Sequence, residues 1–361
     1  MLNKIEGVLK RFPGIKARVI AAELGVDKGA INRLLYANQD KFECDELSQW
    51  SLASAPVLRV KLAADNWLRT SAFEGAISRA SPLQSSSRRV VFEIDCKLML
   101  ESLARLLALC NQLVAVGKKV TLDCIGSKHS LTYLDRIGFL DLLAPTIGVL
   151  PQRPAQERAQ TFRGNNDGVI EFRQIDPQSP DQEIPRLLQR SFVALTNDSY
   201  STAALTILGE LFENVLEHSG ASSPGFAGLQ HYPGGSCIQT VISDNGLGIV
   251  GTLMPVLRTR YPAIASRVAQ ATHSGVALLE EVFDAGQVSQ VDEDGRGLGL
   301  KRSREFAGKF RARISVRQSD FELLVNHGPN GVSFTSKRGL ALIHGTHICF
   351  EFKLDVRVNA A

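Results

Sequence analysis

The sequence predicts a multi-domain α/β protein, and three observations carry that prediction. The first 54 residues read as three short helices followed by two strand-like runs. Residues 89–150 alternate strand, helix, strand, helix. From Val169 onward, a strand and two amphipathic helices lead into apolar strands joined by glycine-rich turns. A length of 361 residues allows two or three domains of ordinary size.

Composition narrows the function classes. Hydrophobic content of 44% and charged content of 22% are those of a globular protein. A net charge of +4 is too small to imply a nucleic-acid partner by itself. The six cysteines, Cys44, Cys96, Cys110, Cys124, Cys237 and Cys349, form no Cys-x-x-Cys pair, which argues against zinc or a disulfide framework and for a reducing, cytoplasmic location. The opening MLNKIEGVLKRF lacks the apolar core of a signal peptide. The apolar run from Leu98 to Val116 is broken by Glu101 and Arg105, so it is expected to be a buried helix rather than a membrane span.

Residues 1–54 follow a helix-turn-helix pattern. Ile5, Val8 and Leu9 begin one helix, which Pro13-Gly14 stops. Ala17 to Leu24 form a second, Gly25 a turn, and Lys28 to Tyr36 a third, the candidate recognition helix. Lys41–Cys44 and Gln49–Leu52 read as the strands of a wing. Up to Lys41 there are eight Lys/Arg against four Asp/Glu. The run Ala30-Ile31-Asn32-Arg33-Leu34-Leu35-Tyr36, with Lys28 before it and Trp50 after it, is similar to Z-alpha winged-helix domains. The resemblance implies that Lys28, Asn32, Tyr36 and Trp50 contact a nucleic-acid duplex, DNA or RNA, with Arg33 as a further candidate on the same helix. The alternative is that Tyr36 and Trp50 only pack beneath the wing.

Residues 55–88 read as a connector with some helix near Asn66-Trp67-Leu68, ending in the polar Ser85–Arg89. In residues 89–150, strands are expected at Val90–Asp95 and Lys119–Asp123, and helices at Leu98–Val116 and Ser130–Leu143. The stretch Ser127 to Phe139 resembles STAS domains, partners of certain kinases. That resemblance implies a phosphorylatable Ser127 or Ser130, whereas the residues alone read more plainly as helix N-capping by serine. Residues 151–168 read as a polar linker.

The last segment, 169–361, holds three pieces in order. In LTILGELFENVLEHSG, Leu205, Leu208, Leu211, Phe212, Val215 and Leu216 recur at helical spacing, and Glu210 and Asn214 share a neighbouring face. A carboxylate there can orient or deprotonate a water, and an amide oxygen suits Mg2+; a solvated surface pair is the plainer reading. In Val241–Ile249, an apolar strand ends at Asp244, followed by Gly246 and Gly248. In GRGLGL, Gly295, Gly297 and Gly299 lead toward a helix, where backbone N–H groups attract phosphate. This loop is neither a Walker A loop nor a Rossmann turn. The basic run Lys301, Arg302, Arg304, Lys309, Arg311 and Arg313 suits either a solvated helix face or phosphate contacts. His344 and His347 read as strand histidines, not metal ligands.

Taken together, these pieces resemble the GHKL ATPase superfamily of gyrases, heat-shock chaperones, histidine kinases and mismatch-repair ATPases, whose fold is the Bergerat α/β sandwich. The resemblance implies that Glu210 is the general base and Asn214 the Mg2+ ligand. Asp244 would bind the adenine amine, supported by Thr346 of the Gly345-Thr346 pair. Gly246, Gly248, Gly295, Gly297 and Gly299 would surround the nucleotide. The span Gly251–Asp294 would form a lid over ATP, and Lys337 is the one candidate for a lysine on the γ-phosphate.

The expected function is an ATP-dependent regulator that binds and slowly hydrolyses Mg-ATP, coupled to nucleic-acid sensing by the N-terminal unit. A serine- or histidine-type protein kinase and a module that holds ATP without turnover are the alternatives. A homodimer is compatible with the resemblance, and no membrane partner is expected.

Overall fold

The structure is a computed structural model describing residues 1–38, 41–45, 47–52, 57–155, 158–166, 168–218, 224–285, 312–328 and 331–354. The chain is a mixed α/β protein in two compact units, Met1–Leu58 with Ser87–Arg89, and Arg59–Ser86 with Val90–Ala361. No helix among the described residues is long and apolar enough to cross a membrane.

The first unit runs α1 (Leu2–Arg11), β1 (Ile15–Lys16), α2 (Ala17–Leu24), α3 (Lys28–Ala37), β2 (Phe42–Cys44) and β3 (Gln49–Leu52). Gly25 ends α2 in the left-handed region, which glycine adopts without a Cβ penalty. Asp27 then caps α3 by accepting a hydrogen bond from Ala30 N at 3.0 Å. Strand β3 lies between β1 and β2. Ile5, Leu9, Ile20, Ile31, Leu35 and Phe42 close a small core around Trp50. The short β1 partner of the wing has no sequence signal.

Next in the chain come β4 (Val57–Leu62), which crosses into the second unit at Arg59, β5 (Trp67–Leu68), α4 (Thr70–Ala80), β6 (Arg89–Ile94), β7 (Lys97–Leu98), α5 (Leu100–Ala115), β8 (Lys119–Asp123), α6 (Lys128–Arg136), β9 (Gly148–Leu150) and α7 (Arg158–Thr161). Strands β4-β6-β8-β9 make one sheet, with β8 and β9 parallel. The connector expectation needs correction. Trp67-Leu68 is a strand paired to Lys97-Leu98, and the helix starts at Thr70. Helix α6 stops at Arg136 rather than Leu143, because Gly138 turns left-handed at φ 75°.

The chain continues with β10 (Val169–Ile175), α8 (Glu183–Leu195), α9 (Ser201–His218), β11 (Gly225–Tyr232), β12 (Cys237–Ser243), α10 (Gly248–Arg260), α11 (Pro262–Gln270), α12 (Ser274–Ala285), β13 (Arg313–Ser319), β14 (Phe321–Gly328), β15 (Gly331–Lys337) and β16 (Ile343–Lys353). Seven strands form one sheet in the order β10-β11-β12-β16-β13-β14-β15. Every pairing in it is antiparallel.

Alternation along the strands gives this sheet two different faces. Ile238, Ile242, Ile314, Val316, Ile348 and Phe350 point to one face, where α8, α9, α10 and α12 bury their apolar stripes. Gln239, Ser315, Arg317, Glu322 and Glu351 point to the other, against α5. Residues 89–150 and 169–361, read from sequence as separate domains, therefore share one compact unit with α5 as its central helix. The 151–168 stretch is tied in as well, through Arg158 to Asp135 at 3.5 Å.

The α5 face is held by ions rather than by oil. Arg105 reaches Glu74 at 2.6 Å, Glu101 at 2.7 Å and Glu322 at 2.5 Å, and donates to Ser315 Oγ at 2.9 Å. Arg317 reaches Glu74 at 3.0 Å, and Lys337 reaches Glu322 at 3.0 Å. Arg313 stands 3.8 Å from both Glu101 and Glu351. Four cations thus meet four carboxylates, which is the condition for burying such charge at tolerable cost.

The expected lid also needs correction. Through Ala285 it is the packed layer α10–α12, with Leu253, Leu257, Leu278, Leu279 and Phe283 in the core. Its remainder lies outside the described residues.

Candidate functional site

Strand β12 is buried along its whole length because helices cover both of its faces. Its register with β16 pairs Ser243 with His347, which brings the strand end beside Thr346. Asp244 N donates to Thr346 O at 2.9 Å. In return Thr346 N donates to Asp244 Oδ2 at 3.0 Å, and Gly246 N donates to Oδ1 at 2.8 Å. The carboxylate is only 4% exposed. Burial pushes it up to about 6, against the opposing pull of its hydrogen bonds from Gly246 and Thr346. Each oxygen keeps lone pairs for a further donor.

The surrounding loop is fixed with equal detail. Thr346 Oγ1 accepts from Ile249 N at 3.1 Å and from Gln318 Nε2 at 2.6 Å. Val250 N donates to Gln318 Oε1 at 3.2 Å. Gly248 adopts φ 71°, and a Cβ there would lie about 3 Å from Gln318, Gly345 and Thr346. Gln318 was not legible as a site residue, since one polar residue at a strand end carries no motif.

Helix α9 packs against β12. Leu208, Leu211, Phe212 and Val215 are buried, whereas Leu205, expected on the same stripe, is 41% exposed. Glu210 and Asn214 are half-buried, on the flank of the helix. At Gly225 an added Cβ would lie 2.5 Å from Ser243 O and 2.6 Å from Val215 Cγ1. The residue after Asn214 and the residue before Asp244 therefore meet at one point. The side chain of His218 and the loop bearing Gly295, Gly297 and Gly299 lie outside what is described, as do Lys301, Arg302, Arg304, Lys309 and Arg311.

Other expectations are placed elsewhere. Lys337 is bonded to Glu322 on the α5 face, away from α9, so it is not positioned to meet a phosphate beside Asn214. Arg313 faces Glu101 and Glu351. His347 is buried, its Nε2 3.0 Å from His344 O, and burial together with Arg317 and Arg105 lowers it to about 3. No cluster of three or more His, Cys, Asp or Glu suited to a metal occurs among the described residues. Ser127 caps α6, accepting from Ser130 N at 3.3 Å and from Ser130 Oγ at 2.8 Å. Ser130 is buried.

A cavity of about 460 Å3 lies on the α5 side of the Asp244 loop, lined by Asn111, Gln112, Leu142, Phe226, Asn245 and His344 among others. Of the residues expected around a nucleotide, Gly246 lines it, whereas Glu210, Asn214, Asp244 and Thr346 do not.

In the first unit, α3 buries Ile31 and Leu35 and turns Lys28, Arg33 and Tyr36 to solvent, with Asn32 half-buried. Tyr36 is 60% exposed and meets Trp50 edge-on, with ring centroids 4.9 Å apart. Trp50 itself is buried, so its share in any duplex contact is to hold the Tyr36 ring.

Compared with protein-family models and with curated proteins, the chain matches none.

Proposed function

We propose that the second unit binds Mg-ATP between α9 and the Asp244–Gly248 loop and hydrolyses it slowly, as its resemblance to GHKL ATPases implies. The observation that carries this reading is the meeting of Val215 and Ser243 at Gly225. It brings the helix of Glu210 and Asn214 against the strand end of Asp244. A buried carboxylate with both oxygens oriented by backbone N–H groups suits an exocyclic amine. The Asn214 amide oxygen suits Mg2+, which keeps waters and substrate phosphates in its shell and needs no cage of carboxylates. When bound, the ion would neutralise phosphate charge. Glu210 would orient and deprotonate the attacking water. The exposed face of α3, with Lys28, Arg33 and Tyr36, is the proposed contact with a DNA or RNA duplex.

Incubation with γ-labelled ATP and Mg2+ tests the hydrolysis. Free phosphate is expected, with Glu210→Ala lowering its release at least about 100-fold while ATP stays bound, a loss in the range of one general base. Label retained on the protein would instead indicate a kinase. No bound nucleotide at millimolar ATP would remove the reading altogether.

A pH dependence follows from Asp244. The ionised carboxylate has lone pairs free to accept further hydrogen bonds; protonation at about 6 removes acceptor capacity. ATP affinity is expected to be level above pH 7 and to fall as pH drops through 6, read by calorimetry from pH 5 to 8. An affinity independent of pH over that span would exclude Asp244 as the base reader.

A further inference from the structure

Helix α5 carries two adjacent amides that the function above does not use. Asn111 Nδ2 donates to Leu142 O at 3.0 Å, and Ala144 N donates to Asn111 Oδ1 at 2.9 Å. Gln112 does the same for the other side. Its Nε2 donates to His344 O at 2.9 Å and to Asn245 Oδ1 at 3.3 Å, and His344 N donates to its Oε1 at 2.9 Å. His344 stands two residues before Thr346, and Asn245 directly follows Asp244. Gln112 is therefore bonded to both loops whose mutual hydrogen bonds orient the Asp244 carboxylate. It is 8% exposed, on the wall of the cavity that Asn245 and His344 also line.

We propose that Gln112 is a positioning residue for the base pocket, and that α5 thereby couples the 89–150 segment to nucleotide affinity. The proposal rests on the nucleotide reading for its consequence, but its geometry stands apart from it. The turn at Leu142–Ala144 and the two loops at Asp244 and Thr346 are held by consecutive residues of one helix. A displacement of that turn is passed by Asn111 to the end of α5, and by Gln112 to the loop pair. The first half of the helix is anchored to other elements, because Arg105 bonds Glu74 of α4 and Glu322 of β14.

The test uses the full chain carrying Gln112→Ala or Gln112→Glu. Gln112→Glu keeps the acceptor for His344 N and loses both donors. In nucleotide-free protein, backbone hydrogen exchange is expected to quicken at Thr346 and Gly246, whose N–H groups bond Asp244, and to stay unchanged in β13 and β14. For ATP, KM is expected to rise about 10-fold with kcat unaltered, the loss typical of one displaced supporting group, and Gln112→Glu is expected to be impaired at least as much as Gln112→Ala, because its carboxylate would face His344 O and Asn245 Oδ1. Unchanged exchange at Thr346 and Gly246 would overturn the proposal. So would quickening spread evenly over the sheet, or a fall in kcat at constant KM, since both mark general destabilisation. If the wild type binds no ATP, the nucleotide reading fails, and exchange alone still decides whether Gln112 positions the loops.

Discussion

Replacing Arg105 by methionine is expected to lower folding stability by about 3–5 kcal/mol, the range for removing one partner from a buried ion pair. The side chain is 1% exposed and serves three carboxylates at once. Methionine fills much of the volume but leaves Glu74, Glu101 and Glu322 with one cation fewer. The pH dependence identifies the cause. Burial raises the Glu322 carboxyl, but Arg105 and Lys337 more than offset this and hold it down at about 2, against 4.5 unperturbed. A depressed carboxylate stabilises the fold above its unfolded value, and that contribution is lost as pH falls from 4.5 toward 2. Without Arg105 the burial effect gains weight, the carboxyl moves up, and the variant gains stability on acidification while the wild type does not. The gap between the two denaturation midpoints should therefore narrow from pH 7 to pH 4.5. A surface pair of similar geometry, Arg267 with Glu281 at 2.6 and 2.7 Å, provides the control. Arg267→Ala should leave the midpoint nearly unchanged, because solvent already screens that pair. Equal effects at both sites would mean that the α5 face is not held by its charges.

This ionic layer also shows where the sequence stopped being readable. Glu101 and Arg105 stand out as breaks in an apolar run, enough to exclude a membrane span. Their purpose depends on Glu322, 217 positions beyond Arg105, and on Glu74, which belongs to a stretch read as connector. No local pattern connects them. By contrast, Asp244 and Thr346, 102 positions apart, were placed together by the resemblance to GHKL ATPases, and their loops do exchange hydrogen bonds. Helix α9 was legible from its 3.6-residue stripe, and the wing from its two short strands. Gln112 and Gln318 were not, since a single amide in a helix or strand has no periodicity to betray it. The compact units differ from the domains read in the sequence for a related reason. Alternating strands and helices look self-contained, and only the polar face of the seven-stranded sheet shows that α5 is its missing layer.

Substituting Gly345 by alanine is expected to abolish the base pocket while leaving the fold in place. Gly345 adopts φ 86°, and its added Cβ would stand 2.1 Å from Asp244 O, 2.8 Å from Asp244 C and 3.0 Å from Asn245 Cα. All three are backbone atoms, so no side-chain rotation relieves the clash, and the two loops must move apart. The bonds that Asp244 exchanges with Thr346 are the first to go, at 2.9 and 3.0 Å. A loss of roughly 100-fold or more in ATP affinity is expected, corresponding to about 3 kcal/mol. Gly339→Ala separates this steric cause from simple backbone strain. Gly339 is also left-handed, at φ 66°, but an added Cβ there meets nothing within 4 Å. It should cost about 1–2 kcal/mol of conformational strain and leave ATP affinity at the wild-type value. If Gly345→Ala bound ATP as tightly as Gly339→Ala, the contact between the Asp244 and Thr346 loops would not be what orients the carboxylate, and the base would have to be read elsewhere.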